Sequence, residues 1–466
     1  MSKMIGTGVP GTKEIMVEFG RHFLPILVPE SCVELTMKSM PVLADPGRAI
    51  QAALNAPIGS PALPEIVRAK GIPPEKLTLA VAVSDITRPV PYKGEGGILP
   101  SLLSLLEGAG IKRDNIVIIV ANGMHRPSTA QERLFMFGPE ITGSYRIVDH
   151  DCEDEENLTF VGKSKAGRDV FVNSLFFNAQ IRIATGLVES HFMAGVSGGR
   201  KSICPGLVDK RTIEKFHSPS FLESPQADNL ILSGNPCHEE AMEVAASVGV
   251  DFIVNACLDK DMRPLAFYAG HLVEAHLEAY KFVRQFAAIE VKEPFDIVLT
   301  HGGYAGRNHY QAAKAACNAL PIVKPGGTVI VAADNHDQEP IGGPEYVCLL
   351  HLLKLQGAEG YLRIISDPHW RFTKDQWEPE MWGKVLRKIG EEGLIYCSPN
   401  ISREDYQCLP GRCGHDFLNE GGEKSLLETA REMVQNAVAH ALKKYQHKPS
   451  MAFLREGPYA VPMLRP

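Results

Sequence analysis

The sequence predicts an α/β protein: two α/β domains with a cofactor and substrate cleft between them. Three observations carry this expectation. First, short apolar runs of strand length alternate with helical patterns in two separate blocks, and such alternation builds largely parallel sheets. Second, polar clusters follow directly on several of these runs, at the carboxyl ends of strands where ligands gather in such sheets. Third, 466 residues at 44% hydrophobic and 22% charged suffice for two or three packed cores and exclude bulk disorder. The boundaries expected are 1–285 for a cofactor-binding, catalytic domain and 291–421 for a smaller one. A tail helix within 422–466 is free to pack back on the first.

The elements follow in order. EIMVEF, FLPILVP and CVELTM, between about 10 and 45, read as strands broken by Gly and Pro. LTLAVAVSD is a buried strand running into a loop, and GILPSLLSLLEGAG a helix closed by glycines. IVIIVANG is a second strand and loop, TAQERLFMFG a short helix, and YRIVDHD, DVFVNSLFFNAQ and IRIATGLV continue the strand series. HLVEAHLEAYKFVRQFAAIEV reads as a long helix suited to joining two domains. The second block opens with the strand FDIVLTHGG, the helix YQAAKAACNALPIV and the strand GGTVIVAAD. EYVCLLHLLKLQ and KVLRKIG add helix and GLIYCSP strand, and EKSLLETAREMVQNAVAHALKKY is an amphipathic helix.

A formal net charge of −7 argues against nucleic acid or an anionic membrane as the main partner. No run approaches the ~18 apolar residues of a membrane span. The N-terminus lacks the apolar core of a signal peptide. The ten cysteines are scattered without a C-x-x-C, and Cys408 and Cys413 have no second pair to complete a zinc site. The expectation is a cytoplasmic protein with reduced thiols serving as small core hydrophobes.

Four clusters could do chemistry. Asp85 and Arg88, in SDITRP, offer a charged pair with a planar fork for carboxylate or phosphate, or an ion pair that merely closes a turn. His125, in ANGMHRP, has a glycine two residues earlier that lets the chain turn sharply; the ring is either a proton-transfer group or simply solvated. The stretch from Gly186 to Ser202 is the densest: Gly195, Gly198 and Gly199 would let backbone N–H groups approach an anion, and Arg200 and Lys201 add charge. His217 follows in EKFHSPS. The third cluster nearly matches the P-loop pattern from Gly195 to Ser202, but Arg200 stands where the glycine before the lysine belongs, and no strand precedes Gly195 directly. GGYAG at 302–306 is not a dinucleotide fingerprint, and no H-E-x-x-H or zinc-type Cys/His spacing occurs.

Together SDITRPVP, ANGMHRP, ESHFMAGVSGGRKSICPGL and KFH, in that order and spacing, resemble the lactate racemase family over about residues 10–320. The second block is similar to that family's smaller C-terminal domain. The resemblance implies an isomerase that carries a nickel-pincer nucleotide: pyridinium-3-thioamide-5-thiocarboxylic acid mononucleotide with nickel. On this resemblance Lys201 tethers the cofactor covalently, and Asp85, Gly198, Gly199 and Arg200 support it. His217 is the protein's nickel ligand, and a single imidazole suffices because the cofactor fills the other positions. His125 and His191 are the acid/base pair, and Arg88, Gln311 and Lys314 hold substrate. Gln311 and Lys314, three apart, can share one helix face.

The implied reaction is racemisation or epimerisation of a small 2-hydroxy acid, with the α-hydrogen passing as hydride to the cofactor and returning to the opposite face. Cofactor-supplying proteins are the further partners implied. Ile86 departs from the family pattern, where a histidine is common, and Trp370 and Trp377 are candidates to wall a substrate cavity or to pack at a surface. Two other readings remain open here: a P-loop-like phosphate-handling enzyme using Gly195–Ser202, and a non-catalytic nickel or nucleotide binder.

Overall fold

The computed structural model describes residues 11–165 and 167–465. It divides into two compact units, residues 39–286 and residues 287–465 joined by 11–38.

In the 39–286 unit a six-stranded sheet runs in the order Pro264–Gly270, Phe252–Leu258, Ile181–Leu187, Leu79–Val83, Ile116–Val120, Arg146–Asp149. Every pairing is parallel except that of the edge strand Pro264–Gly270. Leu79–Val83 is apolar and buried along its whole length, as a strand covered on both faces must be. Ile98, Leu102 and Leu106 of the helix Ile98–Gly108 pack into the same core. The sequence neighbours of this central strand lie on one side, Ile116–Val120 and then Arg146–Asp149, whereas the later Ile181–Leu187 lies on the other. The chain therefore reverses direction across the sheet at Leu79–Val83, and the loops leaving its carboxyl end and that of Ile181–Leu187 diverge. Such a switch point is where open α/β sheets bind ligands.

Several elements differ from the sequence reading. DVFVNSLFFNAQ is only partly strand: Asp169–Asn173 pairs with Leu158–Lys163, and the Asn173 side chain then caps a short helix, Ser174–Phe177. The long linking helix is shorter, Glu274–Ala287, because Ala288–Val291 at its expected end is a strand paired with Val461–Leu464.

The other unit has a wholly parallel six-stranded sheet: Arg412–Cys413, Leu394–Cys397, Val323–Ala332, Phe295–His301, Met451–Leu454, Val33–Leu35. Its last strand corrects the expected boundary of 1–285. Val33–Leu35 pairs with Met451–Leu454, and the hairpin of Thr12–Phe19 and His22–Pro29 lies under the tail helix Leu426–Lys443. Gln435 of that helix accepts from the Leu27 N–H (2.8 Å) and donates to the Leu27 carbonyl (3.0 Å). The tail helix thus packs within its own unit, with Met433, Val434, Ala437 and Val438 in the core.

None of the ten cysteines forms a disulfide, and all but Cys348 and Cys413 are buried. Among the described residues no helix is long and apolar enough to cross a membrane.

Candidate active site

Both loops at the switch point carry ionisable side chains. Past Val83 the chain turns at Asp85, whose Oδ1 accepts from the Thr87 N–H (3.1 Å) and hydroxyl (2.6 Å). This leaves Oδ2 for His125 Nδ1–H at 2.5 Å, an ion pair when the ring is protonated. Burial alone would raise the Asp85 carboxyl, but His125, Thr87 and Arg88 outweigh it and hold the group down at about 2. Asp85 is therefore ionised across the working range, and its hydrogen bond keeps the His125 proton on Nδ1 and directs Nε2 away. Gly123 sits at φ +57°, where a Cβ would stand 3.1 Å from the Pro205 carbonyl, so the turn that presents His125 requires glycine. Arg88 is half-buried, with one long contact to the Thr87 carbonyl (3.5 Å). Ile86, the departure from the family pattern, packs against the unit's apolar core.

From the other loop come His191 and Lys201. The His191 ring is buried; its Nδ1 accepts from the Met193 and Ala194 N–H groups (both 3.3 Å), and its Nε2 lies 2.9 Å from Lys201 Nζ. The Lys201 ammonium also sits over the Phe216 ring. His217 closes the helix Lys210–Phe216, and its Nδ1–H donates to the Ile213 carbonyl (3.0 Å), so Nε2 carries the lone pair. Burial, then the Lys201 charge, push His217 down to about 3, and the ring is neutral at physiological pH. His125 adds to the same depression, so Lys201 and His125 both lie within electrostatic reach of His217.

Two expected cofactor contacts are corrected. Arg200 is 0% exposed and donates to the Ala194 (2.8 Å) and Val196 (2.9 Å) carbonyls, so it faces the interior and not a ligand. The Gly199 N–H donates to Asn255 Oδ1 (3.1 Å) and is unavailable to an anion. The glycines serve close packing instead: at Gly198 (φ +73°) a Cβ would meet Val188 at 2.6 Å. The stretch Gly199–Ser202 is a single 3₁₀ turn and not the start of an α-helix, which removes the P-loop-like reading.

Sequence reasoning missed Thr87, Asn235, Asn255 and His276. Asn235 donates to the Met193 carbonyl (3.0 Å), holding the turn beside His191. Asn255 was the detectable one, a lone amide in the otherwise apolar strand FIVNACL.

In the other unit, Gln311 and Lys314 stand half-buried on one helix, His309–Ala319, which follows the strand Phe295–His301 after a 3₁₀ turn and is capped by Asn308. Trp377 is buried: its indole donates to the Tyr310 hydroxyl (2.9 Å) and its ring stacks on Phe372, so it serves packing and not a cavity wall. Trp370 donates to Gln376 (2.9 Å).

Among the described residues no three His, Cys, Asp or Glu side chains converge as a metal cage. A metal bound at neutral His217 Nε2 would need its remaining donors from a cofactor. The donor set, one imidazole with its proton fixed elsewhere and one primary amine nearby, fits a metal-carrying cofactor attached through lysine.

Comparison with known proteins identifies the family. A family model described as the lactate racemase N-terminal domain matches residues 19–229. The lactate racemase of Lactiplantibacillus plantarum is 32% identical over 339 residues, 72% of this chain and 77% of that protein. That of Thermoanaerobacterium thermosaccharolyticum is likewise 32% identical, over 72% and 76%. The solved structure of the lactate racemase apoprotein from Thermoanaerobacterium thermosaccharolyticum matches with a TM-score of 0.81 and 25% identity, covering 97% of this chain and 100% of that one. A Thermotoga maritima crystal structure shares the fold, with a TM-score of 0.60 at 16% identity over 88% of this chain and 100% of that one. With the histidines, the lysine and the switch-point loops all carried by the matched region, the chain belongs to the lactate racemase family.

Proposed function

We propose that this protein is a racemase or epimerase that inverts the α-carbon of a small 2-hydroxy acid. It is an isomerase by family, and the 2-hydroxy acid and the nickel-pincer nucleotide are our reading. The observation that carries it is a pair of imidazoles on loops at the carboxyl ends of the sheet, each with Nδ1 engaged by the protein: His125 by Asp85, and His191 by the 192–194 turn with Lys201 2.9 Å from its Nε2. When bound, the cofactor would supply a reversible hydride acceptor whose nickel takes one protein ligand, His217 Nε2.

The chain's own residues then have distinct tasks. Direct removal of the α-proton is hard, since that C–H is barely acidic beside an ionised carboxylate, and the histidines are assigned to the hydroxyl instead. His125 Nε2 takes the hydroxyl proton as general base, and Asp85 stabilises the imidazolium that results. His191, whose Nδ1 accepts from the 192–194 turn, carries its proton on Nε2 and serves as the acid that gives a proton to the oxygen as the opposite antipode forms. Arg88 is suited to the substrate carboxylate by its planar fork, with Gln311 and Lys314 proposed to assist. Lys201 provides the amine for attachment. The Asp85–His125 pair favours turnover over a binding-only role, since a passive nickel or nucleotide binder has no use for an ionised carboxylate orienting an imidazole.

The test is a panel of single-enantiomer 2-hydroxy acids incubated with cofactor-loaded protein and read by chiral chromatography. Lactate, the acid in the relatives' names, heads the panel. Both antipodes should appear from either one; a flat result across the panel would sink the proposal. Intact-protein mass should show a covalent adduct that Lys201→Ala lacks.

A further inference from the structure

Arg200 is a large charged side chain wholly removed from solvent. An isolated buried guanidinium is costly, and its donors must be matched. Its partners are neutral. Nη2 donates to the Ala194 and Val196 carbonyls, and Nη1 reaches the Ser197 (3.4 Å) and Gly198 (3.3 Å) carbonyls and His276 Nε2 (2.9 Å). Burial pushes the guanidinium down to about 9, so it stays protonated at neutral pH. His276, on the helix Glu274–Ala287, is buried and held neutral by that burial and by the Arg200 charge. Its Nε2 is also 2.9 Å from the Ser197 carbonyl, and its ring lies 2.7 Å from where a Cβ on Gly199 would stand.

One side chain therefore gathers four consecutive or near-consecutive carbonyls of the 194–198 turn. The peptides of that turn do two further things. The Met193 and Ala194 N–H groups hold His191 Nδ1, and the Lys201 N–H donates to the Gly198 carbonyl (3.0 Å). His191 and Lys201 project from the two ends of a turn that Arg200 clasps. We infer that Arg200, braced by His276, is a positioning residue that sets the His191–Lys201 pair without touching ligand. Only the planar fork can do this, since a lysine ammonium in its place offers three donors from a single atom.

The inference rests on the reading of His191 as an acid–base group and Lys201 as the tether. The test is made on the full chain with ¹⁵N-labelled histidine, the His191 and His125 ring signals being assigned through His191→Gln and His125→Gln. In folded Arg200→Lys the His191 Nδ1 signal should shift while His125 stays in place. Racemisation should fall roughly 10²-fold in kcat, as for a misplacement of about 1 Å. KM should change less than about threefold. Unmoved His191 signals in the folded variant, or wild-type kcat, overturn the inference.

If Arg200→Lys does not fold, His276 decides. His276→Leu should shift the His191 signal and His276→Gln, which keeps an acceptor for Nη1, should restore it; identical spectra for His276→Leu and wild type overturn the clasp. Full racemisation by His191→Gln would instead defeat the acid–base reading, and the ring signals would still decide the clasp.

Discussion

Asp85 Oδ2 lies 2.5 Å from His125 Nδ1, and on the proposed mechanism this contact fits a loop histidine for proton transfer. Asp85→Asn keeps the shape but cannot stabilise the imidazolium. Its kcat should fall on the order of 10²–10³, within the range for general acid–base catalysis, with KM little changed. Racemisation rates of the loaded variant check this; wild-type kcat would show that the carboxylate is structural. At this scale the sequence singled out Asp85 and His125, whose side chains the structure brings into contact, though their pairing was not legible. Arg200 was misread because adjacency to Lys201 says nothing about direction: within one 3₁₀ turn, neighbouring side chains diverge. His276 was hidden in a helical pattern 76 residues from its partner.

The Gly195–Ser202 loop shows what glycine contributes at the scale of an element. Gly195 stands at φ +78°, and a Cβ there would lie 2.3 Å from the Ile231 carbonyl, a backbone atom that cannot step aside. Gly195→Ala should therefore cost about 2–4 kcal/mol, from left-handed strain and overpacking together. Urea unfolding measures it, and a loss under about 1 kcal/mol would mean the turn relaxes freely. The sequence marked these glycines as necessary but misread Gly199, whose N–H goes to Asn255, because a glycine demanded by close packing and one demanded by an anion look alike. Elements with strong periodicity, such as Ile98–Gly108, Leu79–Val83 and Leu426–Lys443, were legible. Phe252–Leu258 and Pro264–Gly270 escaped notice because the strand signal stood next to a long helical pattern. The three-residue strand Val33–Leu35, whose partner lies more than 400 residues away, could be placed only by the fold.

For the whole molecule, buried histidines held neutral link stability to pH, and His276 and His309, one in each unit, show how. Burial holds His309 down at about 3 and, with the Arg200 charge, His276 well below its ordinary value. In the unfolded chain each takes up a proton near pH 6.5. The unfolded state therefore binds more protons below that pH, and stability, full above 6.5, is lost as pH falls toward the depressed native values. The slope is about 1.4 kcal/mol per pH unit for each ring. Urea midpoints should be lower at pH 5 than at pH 7.5; an equal or higher midpoint at pH 5 would contradict this.

The net charge of −7 proved uninformative about the site, because the cations that matter there are local. The central claim, that the histidines move only the hydroxyl proton while the α-hydrogen stays out of exchange with water, is tested most directly by inversion in ²H₂O. Cofactor-loaded protein is given one enantiomer of a 2-hydroxy acid that it turns over, and the opposite antipode is isolated and analysed by mass spectrometry. The account predicts a product with its original α-hydrogen, free of deuterium at carbon; an α-deuterated product would show that a protein base removes the α-proton itself.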